Sequence, residues 1–166
     1  MIKEIISSGN PVLRTVSKEV NRITPEIHIL IKDMIDTLKA SPIRGVGLAA
    51  PQVGVNLRVV IVLLKDTKSE EIVPLINPQI VSSQGEEEDY EGCLCLPRLY
   101  GKVKRYQEVK LKALNERGEL LIMVLKGLPA RVIQHEIDHL DGILFVDRME
   151  DPTQLIYEDH PNLFPT

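Results

Sequence analysis

The sequence predicts an α+β fold, with mainly antiparallel strands packed around a central helix that carries the pattern H-E-x-x-H and with one further helix near the N-terminus. Two observations predict it. Aliphatic, strand-forming runs follow one another through the middle of the chain, and helical spacing of apolar residues is confined to one early and one late segment. Consecutive strands without helices between them favour antiparallel pairing. We expect one domain over residues 1–166, in which residues 150–166 form a short irregular tail.

The early helix has clear boundaries. Apolar residues recur at helical spacing over residues 27–38. Thr24 can cap the helix, and Pro25 suits its first turn because a proline there loses no helical hydrogen bond. We predict a helix that ends near Ala40. Its apolar stripe belongs to the core, and we expect no site on it.

Several strands are predicted in the middle of the chain. Residues 59–64 form an unbroken aliphatic run, which is typical of a buried strand. Residues 72–76 form another, and Pro74 favours a sheet edge for it because proline lacks the N–H that a neighbouring strand would need. Residues 79–83 continue this strand. The acidic residues 85–89 are expected in a solvated loop.

A hairpin and the late helix follow. Apolar and charged residues alternate over residues 108–114, residues 115–118 have the composition of a turn, and residues 120–125 form the returning strand. The late helix is predicted to begin near Leu128. It should end at residues 141–142, where a glycine can terminate it.

Composition and charge limit the classes of function. The 166 residues carry a net charge of -4, which provides no basic surface for nucleic acid or an anionic membrane. No apolar run is long enough to span a membrane, and the N-terminus lacks the features of a signal peptide. We therefore expect a cytoplasmic protein without nucleic-acid or membrane partners, or an organellar one if a transit peptide has been removed. Both cysteines lie in one C-x-C, which favours metal binding over a disulfide framework.

Residues 134–139 read Q-H-E-I-D-H and contain the strongest chemical pattern. On a helix, His135 and His139 lie one turn apart on one face and can share a metal ion. Glu136 beside them can take and return a proton while the metal activates a water. The alternative is an ordinary helix with two surface histidines, because so short a pattern also occurs by chance.

Two further segments could complete such a site. Residues 45–52 are small, rich in glycine and end in an amide. They lack the spacing of a phosphate-binding loop, and a simple loop is the alternative. In an extended segment, Cys93 and Cys95 would face one side and could reach a metal, while Leu94 would face away and keep its N–H near the site.

Taken together, the three segments resemble peptide deformylase. That family combines G-Φ-G-Φ-A-A-x-Q, E-G-C-L-S and Q-H-E-x-D-H in this order, where Φ is apolar. This chain has G-V-G-L-A-A-P-Q at residues 45–52, E-G-C-L-C at residues 91–95 and Q-H-E-I-D-H at residues 134–139. The likeness covers roughly residues 1–148.

The resemblance implies a reaction and the residues that perform it. Members remove the formyl group from the N-terminal formyl-methionine of new polypeptides, so the expected partners are formylated nascent peptides. The implied ligands of one divalent metal ion are Cys93, His135 and His139. Iron(II) is the expected native ion, and zinc, nickel and cobalt are the other candidates. Glu136 would be the general acid and base, while Gln52 and the Leu94 N–H would bind the formyl oxygen.

The resemblance also implies a peptide-binding cleft. Three backbone positions would pair with the extended substrate as an added strand: Val46, Gly47 and Gly92. The methionine pocket would be lined by Val46, Leu128, Val132, His135 and the stem of Arg131. For Leu128 and Val132, a plain core position is the alternative. An ion pair between Glu91 and Arg105 would brace the site, with further support from Asp138.

Cys95 stands where most members have serine, and two kinds of site are compatible with it. In one, Cys95 is a small neutral replacement and the metal keeps an open position. In the other, Cys95 joins Cys93 and the two histidines in a closed, structural zinc module, although two thiolates so close in the chain reach one metal only with difficulty.

A zinc peptidase is the second alternative. Peptidases with H-E-x-x-H usually take their third ligand after the helix. The downstream candidates are Glu150, Asp151, Glu158 and His160, none of which has the right context. The upstream position of Cys93 favours the deformylase.

The end of the chain bears on ribosome binding. Many bacterial members end in a longer helix, which in some docks on the ribosome. This chain ends in N-L-F-P-T, so we expect no docking through such a helix, while proximity to the ribosome stays open.

Overall fold

The computed structural model describes residues 1–157, which form an α+β fold with two antiparallel sheets and two α-helices. The helices are α1, Pro25–Ala40, and α2, Leu128–Leu140. The strands are β1 Gly47–Ala49, β2 Val59–Lys65, β3 Glu70–Gln84, β4 Glu87–Cys93, β5 Leu96–Arg105, β6 Glu108–Leu114, β7 Leu120–Lys126 and β8 Ile156–Tyr157. Short 3-10 helices lie at Pro11–Arg14, Ala50–Val53, Phe145–Arg148 and Pro152–Gln154. The predicted α+β class is confirmed.

Strand β2 of the larger sheet is buried on both faces over Val59–Val62. Its strand order is β1-β2-β3-β6-β7, while β4, β5 and β8 form the smaller sheet. Along β2, Val59 and Ile61 pack in a cluster with α1, whereas Val60 and Val62 pack in a cluster with α2. Successive side chains on a strand point to opposite faces, so a strand that lies between two helices needs apolar residues at every position. This explains the unbroken aliphatic run, whose prediction as a buried strand is confirmed.

Helix α1 has the predicted bounds. Ile31 and Met34 are almost fully buried on its inner face. Pro25 lies in the first turn as expected. Thr24 occupies the N-cap position, but its side chain makes no capping hydrogen bond, so this part of the prediction is wrong.

Strand β3 joins the two segments that were predicted around residues 72–83. Pro74 lies opposite Ile61 of β2, and the described pairing with β6 begins at Ile76. Pro74 therefore lies where β3 has a neighbour on one side, and its missing N–H interrupts no ladder of hydrogen bonds. The predicted edge position is confirmed for this part of the strand.

The acidic run was expected in a loop, and this is wrong for its second half. Residues 87–89 begin β4, with their side chains exposed to solvent. Glu88 lies opposite Lys104 of β5, and such cross-strand pairs of opposite charge stabilise a sheet. Pairing with a basic strand therefore decides the conformation of this segment.

The hairpin and the late helix lie where they were predicted. Strands β6 and β7 are antiparallel, and Leu114 lies opposite Leu120. After α2, Gly142 adopts a left-handed conformation with φ of 74°. A Cβ atom there would lie 2.7 Å from the carbonyl oxygen of Arg14, so only glycine fits.

The segment after α2 is bound to the N-terminal part of the chain through Arg14. Arg14 donates hydrogen bonds to the carboxylate of Asp147 and to the carbonyl oxygen of Gly142. Burial alone would raise the pKa of Asp147, but hydrogen bonds from Arg14 and from the Leu144 N–H lower it below its ordinary value. The ionised form of Asp147 is therefore favoured in the folded protein.

The tail is more regular than expected over its first part. A 3-10 turn at Pro152–Gln154 is followed by β8, which pairs with Leu99 and Tyr100 of β5. The expectations for Glu158, His160 and the end of the chain lie outside the described residues. Within residues 1–157, neither helix has the length and apolar character needed to cross a membrane.

Candidate active site

Three side chains converge between the end of β4 and helix α2. The Sγ atom of Cys93 lies 3.3 Å from Nε2 of His139, and this nitrogen lies 3.2 Å from Nε2 of His135. Among residues 1–157, the ligand atoms of these three side chains form a group in which all lie within 4.8 Å of one another. One sulfur and two imidazole nitrogens suit a divalent metal ion, and three protein ligands leave a position open for chemistry. The donor set therefore fits the implied metal.

Helix geometry explains the histidine pair. His135 and His139 lie one helical turn apart, with ring centroids separated by 4.9 Å, and both are buried. Burial and the neighbouring His135 lower the pKa of His139 well below its ordinary value. This favours the neutral imidazole, which is the form that binds metals.

A tight turn places Cys93. This residue ends β4 and lies opposite Leu96, the first residue of β5, so Leu94 and Cys95 form the turn between the strands. The expectation of an extended C-x-C segment is wrong in this respect, although the two sulfurs do lie on one side, 2.9 Å apart. Burial next to Cys95 raises the pKa of the Cys93 thiol well above its ordinary value. A cation at the site would favour the thiolate.

Cys95 is not a member of the three-ligand group. Its side chain is buried in an apolar cluster with Leu13, Phe145 and Met149. A fourth ligand atom would have to lie as close to both imidazoles as Sγ of Cys93 does. The sulfur of Cys95 does not meet this condition. The geometry therefore favours the open site over the closed zinc module.

Glu91 orients the imidazole of His135 through the ring nitrogen that does not face the cluster. Its Oε1 atom accepts a hydrogen bond from Nδ1 of His135 at 2.8 Å, which directs Nε2 of the imidazole towards the cluster. The carboxylate is fully buried and also accepts hydrogen bonds from Arg105 at 2.9 Å and from Arg131 at 2.7 Å. Burial alone would raise the pKa of Glu91, but His135 and Arg105 lower it far below its ordinary value. Glu91 is therefore ionised.

Further hydrogen bonds join α2 to Arg105 and its neighbours. Asp138 accepts hydrogen bonds from Arg105 at 2.6 Å and from Arg148 at 3.0 Å and 3.2 Å. The amide of Gln134 binds the backbone N–H and C=O of Tyr106. These bonds tie α2 to β5. Sequence reasoning did not single out Arg148, because nothing in its local sequence reports a partner ten residues away.

Glu136 is the buried carboxylate beside the cluster. It is 0% exposed, and neither of its oxygen atoms has a hydrogen-bond partner among the described residues. Burial and the proximity of Cys95 and Glu91 raise its pKa well above the ordinary value. An unpaired buried carboxylate destabilises a fold, so its presence next to metal ligands points to a functional role.

Strand β1 passes directly beside Glu136. A Cβ atom on Gly47 would lie 2.8 Å from Oε1 of Glu136 and 2.9 Å from Cγ1 of Val132, so the absence of a side chain permits this approach. The strand is the end strand of the larger sheet as far as the structure describes it. Val46, just before the strand, is half-buried.

Gln52 is held with its amide nitrogen towards the cluster. Its Oε1 atom accepts the Ala49 N–H at 2.9 Å, and its Nε2 atom lies 3.6 Å from Sγ of Cys93. The side chain is fully buried. Leu94 packs its side chain in the cluster with α1, whereas Cys93 packs in a different cluster, so the side chain of Leu94 faces away from the sulfurs.

The residues expected to line the peptide cleft differ from one another in burial and in their hydrogen-bond partners. Val132 is buried on α2, and Leu128 is 53% exposed at the start of that helix. Gly92 is buried opposite Tyr100 of β5. The guanidinium group of Arg131 binds Glu91 and two backbone carbonyl groups, so only its stem is available to a pocket.

The downstream ligands of a zinc peptidase are not at the cluster as far as they are described. Glu150 pairs with Lys104, and Asp151 accepts hydrogen bonds from Thr153. The third member of the cluster is the upstream Cys93.

Known proteins resemble this chain over most of its length. A sequence model of the polypeptide deformylase family matches residues 2–154. A peptide deformylase from Heliobacterium modesticaldum is 48% identical over 150 residues, which cover 90% of this chain and 95% of that protein. A peptide deformylase structure from Legionella pneumophila has a TM-score of 0.85 and 41% identity, covering 93% of this chain and 89% of that chain.

A second similar structure contains a peptide. It is the class I type b peptide deformylase from Acinetobacter baumannii with Met-Ala-Ser bound, with a TM-score of 0.83 and 34% identity over 90% of this chain and 99% of that chain. The family match, the relatives and the Cys-His-His cluster agree. The chain therefore belongs to the polypeptide deformylase family, whose members are hydrolases that remove the N-terminal formyl group from formyl-methionine.

Proposed function

We propose that the chain removes the formyl group from newly made polypeptides with three metal ligands, one acid–base group and two hydrogen-bond donors. The ligands are Cys93, His135 and His139. The observation that carries the proposal is the unpaired, buried carboxylate of Glu136 beside these ligands. The similar protein with Met-Ala-Ser bound supports a substrate that begins with methionine.

Cys93, His135 and His139 would hold the metal ion, which would act as a Lewis acid. When bound, a divalent ion lowers the pKa of a water molecule and polarises the formyl carbonyl group. We propose iron(II) as the native ion, and zinc, nickel or cobalt as ions that the same imidazole and thiolate ligands can hold.

Glu136 moves the proton. It accepts a proton from the attacking water and passes it to the amine that leaves with the peptide. No residue among 1–157 donates a hydrogen bond to its carboxylate, so both oxygen atoms are available to accept the proton.

Gln52 and Leu94 stabilise the oxyanion that forms when water attacks the formyl carbon. The Ala49 N–H holds Oε1 of Gln52, which leaves the amide nitrogen as the donor at the cluster. The Leu94 N–H lies in the turn next to Cys93 and is the second donor. Each such donor contributes about 3 kcal/mol to transition-state stabilisation in other enzymes.

The peptide would bind along β1. We propose that backbone groups at Val46, Gly47 and Gly92 pair with it as an added strand. The methionine side chain would contact Leu128, Val132 and the stem of Arg131. Glu91 and Arg105 would hold His135 in position. In this arrangement α2 is the central helix of a single catalytic domain that acts in the cytoplasm, without nucleic-acid or membrane partners.

The test is formate release from a formyl-Met peptide. The full chain is prepared without oxygen and loaded with iron(II), and its metal content is counted in the same sample. Glu136→Ala should lower turnover by about 100- to 10,000-fold while one metal ion per chain remains. Glu71→Gln, which removes an exposed carboxylate from β3, is the matched control and should keep full turnover.

Two outcomes would overturn the proposal. One metal ion held tightly without any turnover would favour the closed zinc module. Cleavage of unformylated peptides at the same rate would favour the zinc peptidase.

A further inference from the structure

The chain has two cysteines, and they lie side by side at the metal ligands. The Sγ atoms of Cys93 and Cys95 are 2.9 Å apart. Both are thiols, and their residues are only 3% and 1% exposed. Cys93 is a member of the ligand group and Cys95 is not, so the proposed mechanism leaves the second thiol without a role.

We propose that Cys93 and Cys95 are a site of reversible oxidation. Hydrogen peroxide converts the two thiols to a disulfide, and the bond removes Cys93 from the metal-ligand set. The modification switches off metal binding, and reduction restores it.

The turn between β4 and β5 makes this bond feasible. In an extended strand, Cα atoms two residues apart are separated by about 6.6 Å, which is near the upper end of the range for disulfides, and a tight turn brings them closer. The sulfurs are already in contact, so the bond needs only a small side-chain movement. A bridge between such close residues is strained, and strained disulfides are those that are readily reduced.

The reaction balances without a further reactant. Peroxide first transfers one oxygen atom to the sulfur of Cys93, which forms a sulfenic acid and releases one water. The thiol of Cys95 then attacks that sulfur, the S–S bond forms, and the hydroxyl group leaves as a second water with the thiol proton. The two thiols lose two electrons and two protons, and peroxide accepts both.

Serine at position 95 could not complete this sequence. A hydroxyl group does not condense with a sulfenic acid, so the oxidised Cys93 would continue to the irreversible sulfinic and sulfonic acids. The second thiol therefore diverts oxidation of Cys93 to a product that thiols can reverse. Both sulfurs are buried, so we expect only an oxidant as small as peroxide to reach them.

Mass spectrometry of the oxidised protein tests the proposal. The nickel-loaded full chain is treated with hydrogen peroxide, alkylated and weighed intact, and trypsin then releases residues 69–98, which contain both cysteines. We expect a loss of about 2 Da within this peptide, its reversal by dithiothreitol, and release of one metal ion per bridge. In Cys95→Ser we expect a gain of about 32 or 48 Da on Cys93 that dithiothreitol does not reverse.

The proposal fails if the natural chain also gains oxygen at Cys93 without the loss of about 2 Da. It also fails if Cys95→Ser recovers as fully as the natural chain after reduction. Should Cys95→Ser not fold, Cys95→Ala replaces it, and the peptide mass of the natural chain remains decisive. These measurements do not depend on formyl-peptide hydrolysis. A failure of the proposed oxidation can therefore be distinguished from a failure of the proposed function.

Discussion

Replacing Glu91 with glutamine should destabilise the protein and weaken metal binding, although the side chain keeps its size. The buried carboxylate accepts four hydrogen bonds, two from Arg105, one from Arg131 and one from His135. In glutamine, an NH2 group replaces one of the two oxygen atoms. This group would face an N–H donor and could not accept its hydrogen bond. The two guanidinium groups would also lose the negative charge between them.

The expected magnitude follows from burial. Removing one partner of a buried ion pair costs about 3–5 kcal/mol. For a chain of this length, each kcal/mol lowers Tm by about 2–4 °C, so Tm should fall by about 6–20 °C. Loss of the contact that orients a metal-ligating histidine weakens metal affinity by about 10- to 100-fold.

Thermal unfolding and metal competition measure the two effects. Tm is recorded by circular dichroism, and metal affinity is measured by competition with a chromophoric chelator. Glu88→Gln is the matched control, because Glu88 lies on the same strand but is exposed, and its Tm should change by no more than about 2 °C. A change of that size in Glu91→Gln, with unaltered metal affinity, would refute the reasoning.

Three further substitutions test other parts of the structure. Gly142→Ala should lower the free energy of unfolding in urea by about 2–4 kcal/mol, because φ is 74° and the methyl group would lie 2.7 Å from a backbone oxygen. Asp147→Asn should cost about 1 kcal/mol at neutral pH, since the lost ion pair is partly exposed. The pKa of Asp147 is lowered on folding, so this cost should be present above about pH 4 and should disappear in thermal melts as the pH falls through the folded pKa. Gly47→Ala should lower kcat/KM by about 100-fold with metal still bound, because its methyl group would displace the carboxylate of Glu136.

For each of these three predictions, one specific result would contradict the reasoning. Gly9 has φ of 96°, and a methyl group added there would meet no atom within 4 Å, so Gly9→Ala should cost only about 1–2 kcal/mol. An equal cost for Gly142→Ala would contradict the clash. A deficit in Asp147→Asn that persists unchanged at about pH 2 would contradict the titration argument. Loss of the metal from Gly47→Ala would mean that the substitution disturbs the ligands and not Glu136 alone.

Local sequence was sufficient wherever neighbours along the chain decide the structure. The spacing of apolar residues over α1, the alternation over β6 and the glycine after α2 each report a local preference, and the elements lie where these patterns predict. Helical periodicity likewise places His135 and His139 on one face, because residues four apart are neighbours on any α-helix. The resemblance of three short motifs then predicted Cys93 as the third ligand, and its sulfur lies in one group with the two histidines.

Tertiary structure decided the features that depend on residues far apart in the chain. The acidic residues 87–89 became a strand because a basic strand pairs with them, and the C-x-C became a turn because β4 and β5 meet there. Asp138 binds Arg105 and Arg148 because the fold brings strand β5 and the 3-10 helix Phe145–Arg148 next to α2. A buried charge takes whichever partner the fold brings to it, and sequence separation does not report that distance.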